Sequence, residues 1–269
     1  MLKNRLIPII IVKDDLIVQS FNFRKYLPIG SIEMAIEFFM SWDVDEIIVL
    51  DINASKDNRP PKLEIIEKSI KNCFVPLTIG GGIRNMDDIK NALRSGADKV
   101  SINEHAYRDL SFIEKAARRF GSQCITVSVD TKKVGKEYNV FIRNGQINTG
   151  MNVTDWIKSI ERAGAGEILI NSIERDGSRL GYDLQLLNLV SSNANIPVIA
   201  CGGVGNTKHL ADGILYGSCQ AVAAANIFQH TEHSTIAAKA VMRKAGVPVR
   251  LNSDVKYDQY ETDYSGRLI

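Results

Sequence analysis

Short runs of apolar residues recur along the chain: Leu6–Val12, Glu46–Ile52, Pro76–Ile79, Lys99–Ile102, Ile125–Val129, Glu167–Ile170, Pro197–Ala200 and Ala221–Ala225. Runs of this length with little polar alternation suit strands buried on both faces. Stretches of helical period lie between them. Ser31–Trp42 carries Ile32, Ala35, Ile36 and Phe39 on one face, and Leu63–Cys73 carries Ile65, Ile66, Ile70 and Cys73. Asp87–Arg94, Leu110–Arg119, Asn152–Ala163, Leu184–Ser191, Thr207–Leu215 and Ser234–Ala245 follow. Eight strand-then-helix units predict an α/β fold with an all-parallel sheet covered by helices. The count and an internal repeat favour a closed (β/α)8 TIM barrel over an open sheet. One insert, Tyr138–Thr149, breaks the rhythm, and its Asn144-Gly145 pair predicts a hairpin turn. A single barrel is expected over residues 1–252, with a loose polar tail over 253–269.

The repeat is a half-barrel echo. Thr78-Ile79-Gly80-Gly81-Gly82-Ile83-Arg84-Asn85 resembles Ile199-Ala200-Cys201-Gly202-Gly203-Val204-Gly205-Asn206. The spacing from Gly81 to Gly202, from Glu46 to Glu167 and from Gly96 to Gly217 is 121 residues in each case. A shared offset at three places is hard to produce by chance.

The repeated turns carry candidate chemistry. Gly80-Gly81-Gly82 follows the third strand and Gly202-Gly203 the seventh, where backbone N–H groups can approach an anion without interference from a Cβ. The next strands end in Ser101-Ile102-Asn103 and Ala224-Ala225-Asn226, and each can feed a helix N-terminus. Two such sites half a barrel apart predict a small ligand with a phosphate at each end, although the glycines alone would also serve tight strand-to-helix turns.

Side chains alternate across a strand, so Arg5, Glu46, Lys99 and Glu167 are predicted to meet inside the N-terminal mouth. Two cations facing two anions neutralise one another. Such a ring is either a structural plug or a gate. At the other rim, Asp51, Asp130 and Asp176 fall at or just beyond strand ends, where parallel barrels place their chemistry. There they can act as general acid and base, bind ligand hydroxyls, or cap helices.

Composition narrows the class. With 45% hydrophobic and 24% charged residues the chain is globular, and a net charge of +2 gives no broad field for nucleic acid or a membrane. No apolar run is long enough to span a bilayer. The four cysteines and four histidines show no metal-type spacing, so neither a metal nor a cofactor is expected, and scattered cysteines suit a reducing cytoplasm.

The Thr78–Arg84 turn, Asp98–Asn103, Gly121-Ser122-Gln123, Gly164–Leu169 and Ser172–Gly177 resemble the cyclase subunit of imidazole glycerol phosphate synthase, the HisF family, over roughly residues 1–250. That family is a half-symmetric barrel binding a two-phosphate ribonucleotide at the C-terminal rim. A HisH-like glutaminase docks on the opposite face and sends ammonia through the barrel. The resemblance implies that Arg5, Glu46, Lys99 and Glu167 form a gate, that Thr78 lines the ammonia path and that Asp98 lies in the glutaminase interface. It implies Asp130 as catalytic acid, Asp51 and Asp176 near the substrate, and Gly82, Asn103, Gly177 and Gly203 as phosphate cradles, with Gly81, Ser101, Gly202 and Ala224 beside them.

The departures concern the cyclising end. Ile11 stands where the family has the catalytic Asp of the first strand, and isoleucine cannot transfer a proton. Gln19 replaces a substrate-contacting Lys, Asp15 a glycine, and Ala225 and Cys201 two serines. This combination, and the segment Arg5–Asp14, resemble HisF-like proteins of bacterial surface-polysaccharide (lipopolysaccharide O-antigen) clusters. Those proteins work with a HisH-like glutaminase and a separate amidotransferase to place an acetamidino group on a sugar. Three functions are therefore open: ammonia delivery for sugar amidination, true imidazole glycerol phosphate synthesis in histidine biosynthesis, and a non-catalytic activator of the glutaminase.

Overall fold

The computed structural model describes residues 3–229, 234–253, 255 and 257. Twelve strands are present among them: Arg5–Lys13 (β1), Leu16–Phe21 (β2), Lys25–Gly30 (β3), Ile47–Asp51 (β4), Leu77–Gly80 (β5), Lys99–Ile102 (β6), Ile125–Val134 (β7), Glu137–Ile142 (β8), Ile147–Asn152 (β9), Glu167–Ser172 (β10), Val198–Cys201 (β11) and Ala221–Ala224 (β12). Eight of them pair in parallel in the order β1, β4, β5, β6, β7, β10, β11, β12, and β12 pairs back to β1. These eight strands thus form a closed barrel, which leaves no edge among them. All eight predicted strands are barrel strands. The helices between them are Ile32–Ser41 (α1), Leu63–Ser69 (α2), Met86–Arg94 (α3), Glu104–Arg108 (α4), Leu110–Phe120 (α5), Val153–Arg162 (α6), Leu184–Ser191 (α7), Thr207–Leu215 (α8) and Thr235–Lys244 (α9).

Two hairpins are added to the barrel, and the first departs from the sequence-based expectation. The link after β1 is a hairpin, β2 against β3, standing on the C-terminal rim. Strand β7 runs three residues past its barrel pairing with β10, which ends at Thr131, and pairs with β8, which pairs with β9. This second hairpin turns at Arg143, Asn144 and Gly145, all at positive φ, as the Asn-Gly pair predicts.

The outward faces of the strands pack against the helices in one large apolar cluster, with Leu6, Ile47, Ile79, Val100, Val127 and Ile168 among its fully buried members. Seven of the nine helices among the described residues start where a short polar side chain accepts a hydrogen bond from the first turn: Ser31, Asn85, Asp109, Asn152, Asp183, Asn206 and Ser234. Asn85 and Asn206 hold equivalent places in the two half-barrels.

The inward faces differ around the axis. Ile7, Ile9, Ile48, Leu169 and Ile199 form an apolar wall. Thr78, Ser101 and Thr126, on the neighbouring strands β5 to β7, place buried hydroxyls on the facing wall.

Of the stretch expected as a loose tail, residues 253, 255 and 257 are described, and the last of these packs on the barrel. Tyr257 is buried; its hydroxyl donates to Asp43 Oδ2 and accepts from Asn252 N. Asp43 and Asp45 in turn hold the fully buried Lys239 of α9, at 3.2 and 3.0 Å. Most of the remaining tail lies outside the described residues. Among the described residues no helix is long and apolar enough to cross a membrane.

Candidate functional site at the C-terminal rim

The C-terminal ends of the strands surround a cavity of about 1180 Å³, open mouth included. It is lined by Asp51, Gly81, Ser101, Asn103, Asp130, Asp176, Gly177, Gly202, Gly203 and Ala224, so ten of the rim residues expected from sequence converge on one space. Gly82 lines the adjoining groove. The methyl of Ala224 belongs to the barrel–helix core, so its backbone is what faces the cavity.

The three carboxylates have different environments. Asp130, on the inner face of β7, is buried and accepts one hydrogen bond from Asn103 Nδ2 at 2.9 Å. Burial pushes its pKa up to about 7, opposed by the Asn103 bond and reinforced by the nearby Asp176 charge. A carboxyl with that pKa can give or take a proton near neutrality. Asp176 is held by Ser20 Oγ at 2.7 Å and Phe23 N at 3.2 Å, and burial raises its pKa despite those bonds. Asp51 is occupied: Arg59 grips it in a fork at 2.7 and 3.3 Å, and the N–H groups of Asn53, Ala54 and Lys62 donate to it. It organises the loop after β4 and has little acceptor capacity left for a ligand.

Ile11 lines the same cavity on the inner face of β1, packed with Ile9 and Leu50. Cys201 faces inward on β11, where burial pushes its thiol up, so it stays protonated. Asn171 Oδ1 is buried and unpartnered at the cavity floor.

The glycine turns are shaped by close backbone approach. Gly82 (φ 68°) and Gly203 (φ 104°) leave no room for a Cβ, because the carbonyl oxygens of Arg59 and Gly181 abut them. The packing alone therefore demands glycine there. Their N–H groups donate to no protein acceptor among the described residues, which leaves them available to an anion.

Sequence reasoning missed the first hairpin's share of the cavity: Ser20, Phe23 and Tyr26. It also missed the cations around the cradles, Lys56, Arg84, Arg108 and Arg143 on the Gly82 side and Arg179 on the Gly203 side. The proximity of Arg179 to Gly177 was a readable signal; Arg143 reaches the site only through the second hairpin.

The opposite mouth of the barrel is closed by a four-membered ring. Arg5 bridges Glu46 (2.7 Å) and Glu167 (2.6 Å), and Lys99 bridges the same pair at 3.1 and 2.7 Å. Thr78 Oγ1 donates to Glu46 Oε1 at 3.0 Å. Burial alone would lower the Arg5 pKa, but Glu167 and Glu46 more than reverse it. Asp98 is exposed on this face, where its carboxylate accepts from Leu77 N at 2.8 Å.

A parallel barrel with a carboxylate pocket at its C-terminal rim and a partly buried ion ring at its base defines the class. The model of the histidine biosynthesis protein family matches residues 5–235. A Vibrio vulnificus (strain YJ016) protein, provisionally named imidazole glycerol phosphate synthase subunit hisF2, is 56% identical over 99% of this chain and 98% of its own length. The imidazole glycerol phosphate synthase subunit HisF of Clostridium botulinum (strain 657 / Type Ba4) is 41% identical over 93% of this chain and all of its own. The chain belongs to the histidine biosynthesis protein family, in its HisF group.

Proposed function

We propose that this chain is the ammonia-accepting subunit of a glutamine-dependent synthase. A HisH-like glutaminase docks on the face bearing Asp98, and ammonia enters through the Arg5–Glu46–Lys99–Glu167 ring. The ring is neutral and hydrogen-bonded, so breaking one bridge opens it without stranding an isolated charge. Beyond it, Thr78, Ser101 and Thr126 give a small hydrogen-bonding molecule a polar wall, and Thr126 Oγ1 is buried without a partner. At the summit, the free N–H groups of Gly82 and Gly203 bind the two ends of a phosphorylated ligand between Asp130 and Asp176.

The ammonia then serves amidination of a surface-polysaccharide sugar, completed with a separate amidotransferase. The observation that carries this step is Ile11: an aliphatic side chain occupies the inner rim of β1, within the same cavity as Asp130. Cyclisation of the ribonucleotide needs a positioned acid and base, and losing one typically costs about 10²–10⁴-fold. The second reading, true imidazole glycerol phosphate synthesis, is favoured by Asp130, whose pKa of about 7 suits it to both roles. The test is a purified assay with the two-phosphate ribonucleotide and ammonium salt. The amidination reading expects no turnover to imidazole glycerol phosphate, and clear turnover would overturn it.

A further inference from the structure

A second concavity, of about 1310 Å³, lies on the rim between the two hairpins. Its walls are built rather than casual. Asn144 Nδ2 donates to Ile52 O at 2.9 Å, which ties the second hairpin to the loop after β4. Asn53 Nδ2 donates to Asp14 Oδ1 at 2.6 Å, which ties that loop to the turn between β1 and β2. The ring of Phe23 approaches Gly145 closely enough that an added Cβ would stand 3.3 Å from it.

The lining holds four cations, Lys13, Arg24, Lys56 and Lys132, against one carboxylate, Asp14. That is a formal +3 in one groove, more than the +2 of the whole chain. Lys13 is the one that Asp14 pairs, at 2.7 Å. Among the described residues no carboxylate lies within ion-pair distance of Arg24, Lys56 or Lys132. Like charges gathered on a fixed frame repel one another unless an anion sits among them. Phe23 and Tyr26 line both this groove and the main cavity, so one ligand can occupy the two spaces together.

We propose that the inter-hairpin groove is a third anion subsite, separate from the two glycine cradles, which takes a diphosphate group on a ligand whose body lies in the main cavity. A diphosphate matches a formal +3 better than a single carboxylate does, and Arg24 adds a planar fork suited to phosphate oxygens. The subsite needs neither ammonia nor a partner, so it stands or falls independently of the function proposed above.

The experiment uses inorganic pyrophosphate as probe, with the purified full-length chain at low ionic strength. Binding is followed by calorimetry and by amide shifts of the ¹⁵N-labelled protein. Saturable shifts at Asn22, Lys132 and Gly145 are expected. In Arg24→Ser/Lys132→Ser the affinity read from those shifts should fall by about tenfold or more, the scale of one lost charge-assisted hydrogen bond. Arg24→Ser alone, at an exposed position that lines only this groove, should weaken it in the same direction and covers the case of a misfolded double variant. Shifts confined to residues 81–83 and 203–205, with affinity unchanged in both variants, would overturn the proposal and leave the groove a solvated cationic face.

Discussion

Asn103 Nδ2 donates to Asp130 Oδ2 at 2.9 Å, and no cation pairs with that carboxylate among the described residues. A neutral donor offsets part of the cost of burying the charge, and the pKa of Asp130 stands at about 7. The native state therefore holds a proton that the unfolded chain releases near pH 4. Between those values the native state binds more protons, so stability contributed by Asp130 falls as pH rises and is lost above about 7. Asp130→Asn should consequently be more stable than the parent at pH 8, by roughly 2–4 kcal/mol, and indistinguishable from it below about pH 4. Urea unfolding across that range measures the difference. A constant difference at all pH values would show that Asp130 does not titrate in this window.

The ring at the base predicts non-additive energetics. Lys99→Met leaves Glu46 and Glu167 sharing Arg5, with one negative charge uncompensated in a buried setting. A loss of roughly 1–3 kcal/mol is expected, less than for an isolated buried pair because Arg5 and Thr78 remain. Adding Glu46→Gln restores neutrality and should recover part of that loss. A double-mutant cycle by urea unfolding reads the coupling, and simple additivity would mean that the four groups do not act as one unit.

The glycine turns give a controlled comparison of strain with crowding. Gly82 and Gly135 have nearly equal positive φ, 68° and 64°, but only at Gly82 would a Cβ run into backbone, the Arg59 carbonyl. Gly135→Ala should cost about 1 kcal/mol from φ alone, and Gly82→Ala at least ~2 kcal/mol more. Equal losses in thermal unfolding would remove the close-approach account of that turn.

The barrel is readable from sequence because each core strand is buried on both faces and so appears as an apolar run. The half-barrel offset adds an independent check, and Asn85 and Asn206 confirm it as equivalent N-caps. The first hairpin was not readable: its turn is Asn22-Phe23 with both residues at positive φ, and phenylalanine gives no local signal for that conformation. Its loss hid the partners of Asp176, Ser20 and Phe23. The state of Asp51 was illegible for a related reason. Its position at a strand end is the same whether it faces ligand or is gripped by Arg59, and only the folded loop decides. The charge ring was legible because alternation along four strands places its members on one face, but whether it stands closed depends on distances that sequence does not carry.

The rim position of β1 offers the sharpest functional test. Ile11 packs beside Ile9 and Leu50 and lines the cavity shared by Asp130 and Asp176. Ile11→Asp would place a third carboxyl near two whose pKa values burial already raises, so it should cost some stability, about 1–3 kcal/mol. In exchange it supplies a proton-transfer group at the position where the chain has none. If the missing acid/base is what separates this protein from a cyclase, Ile11→Asp should raise ammonium-driven turnover of the two-phosphate ribonucleotide by about 10²-fold or more over the parent. Asp130→Asn in the same background should abolish the gain, because both groups would be needed. A folded Ile11→Asp variant that binds the ribonucleotide but shows no such rise would place the block elsewhere in the cavity, with Gln19, Cys201 and Ala225 the next positions to restore.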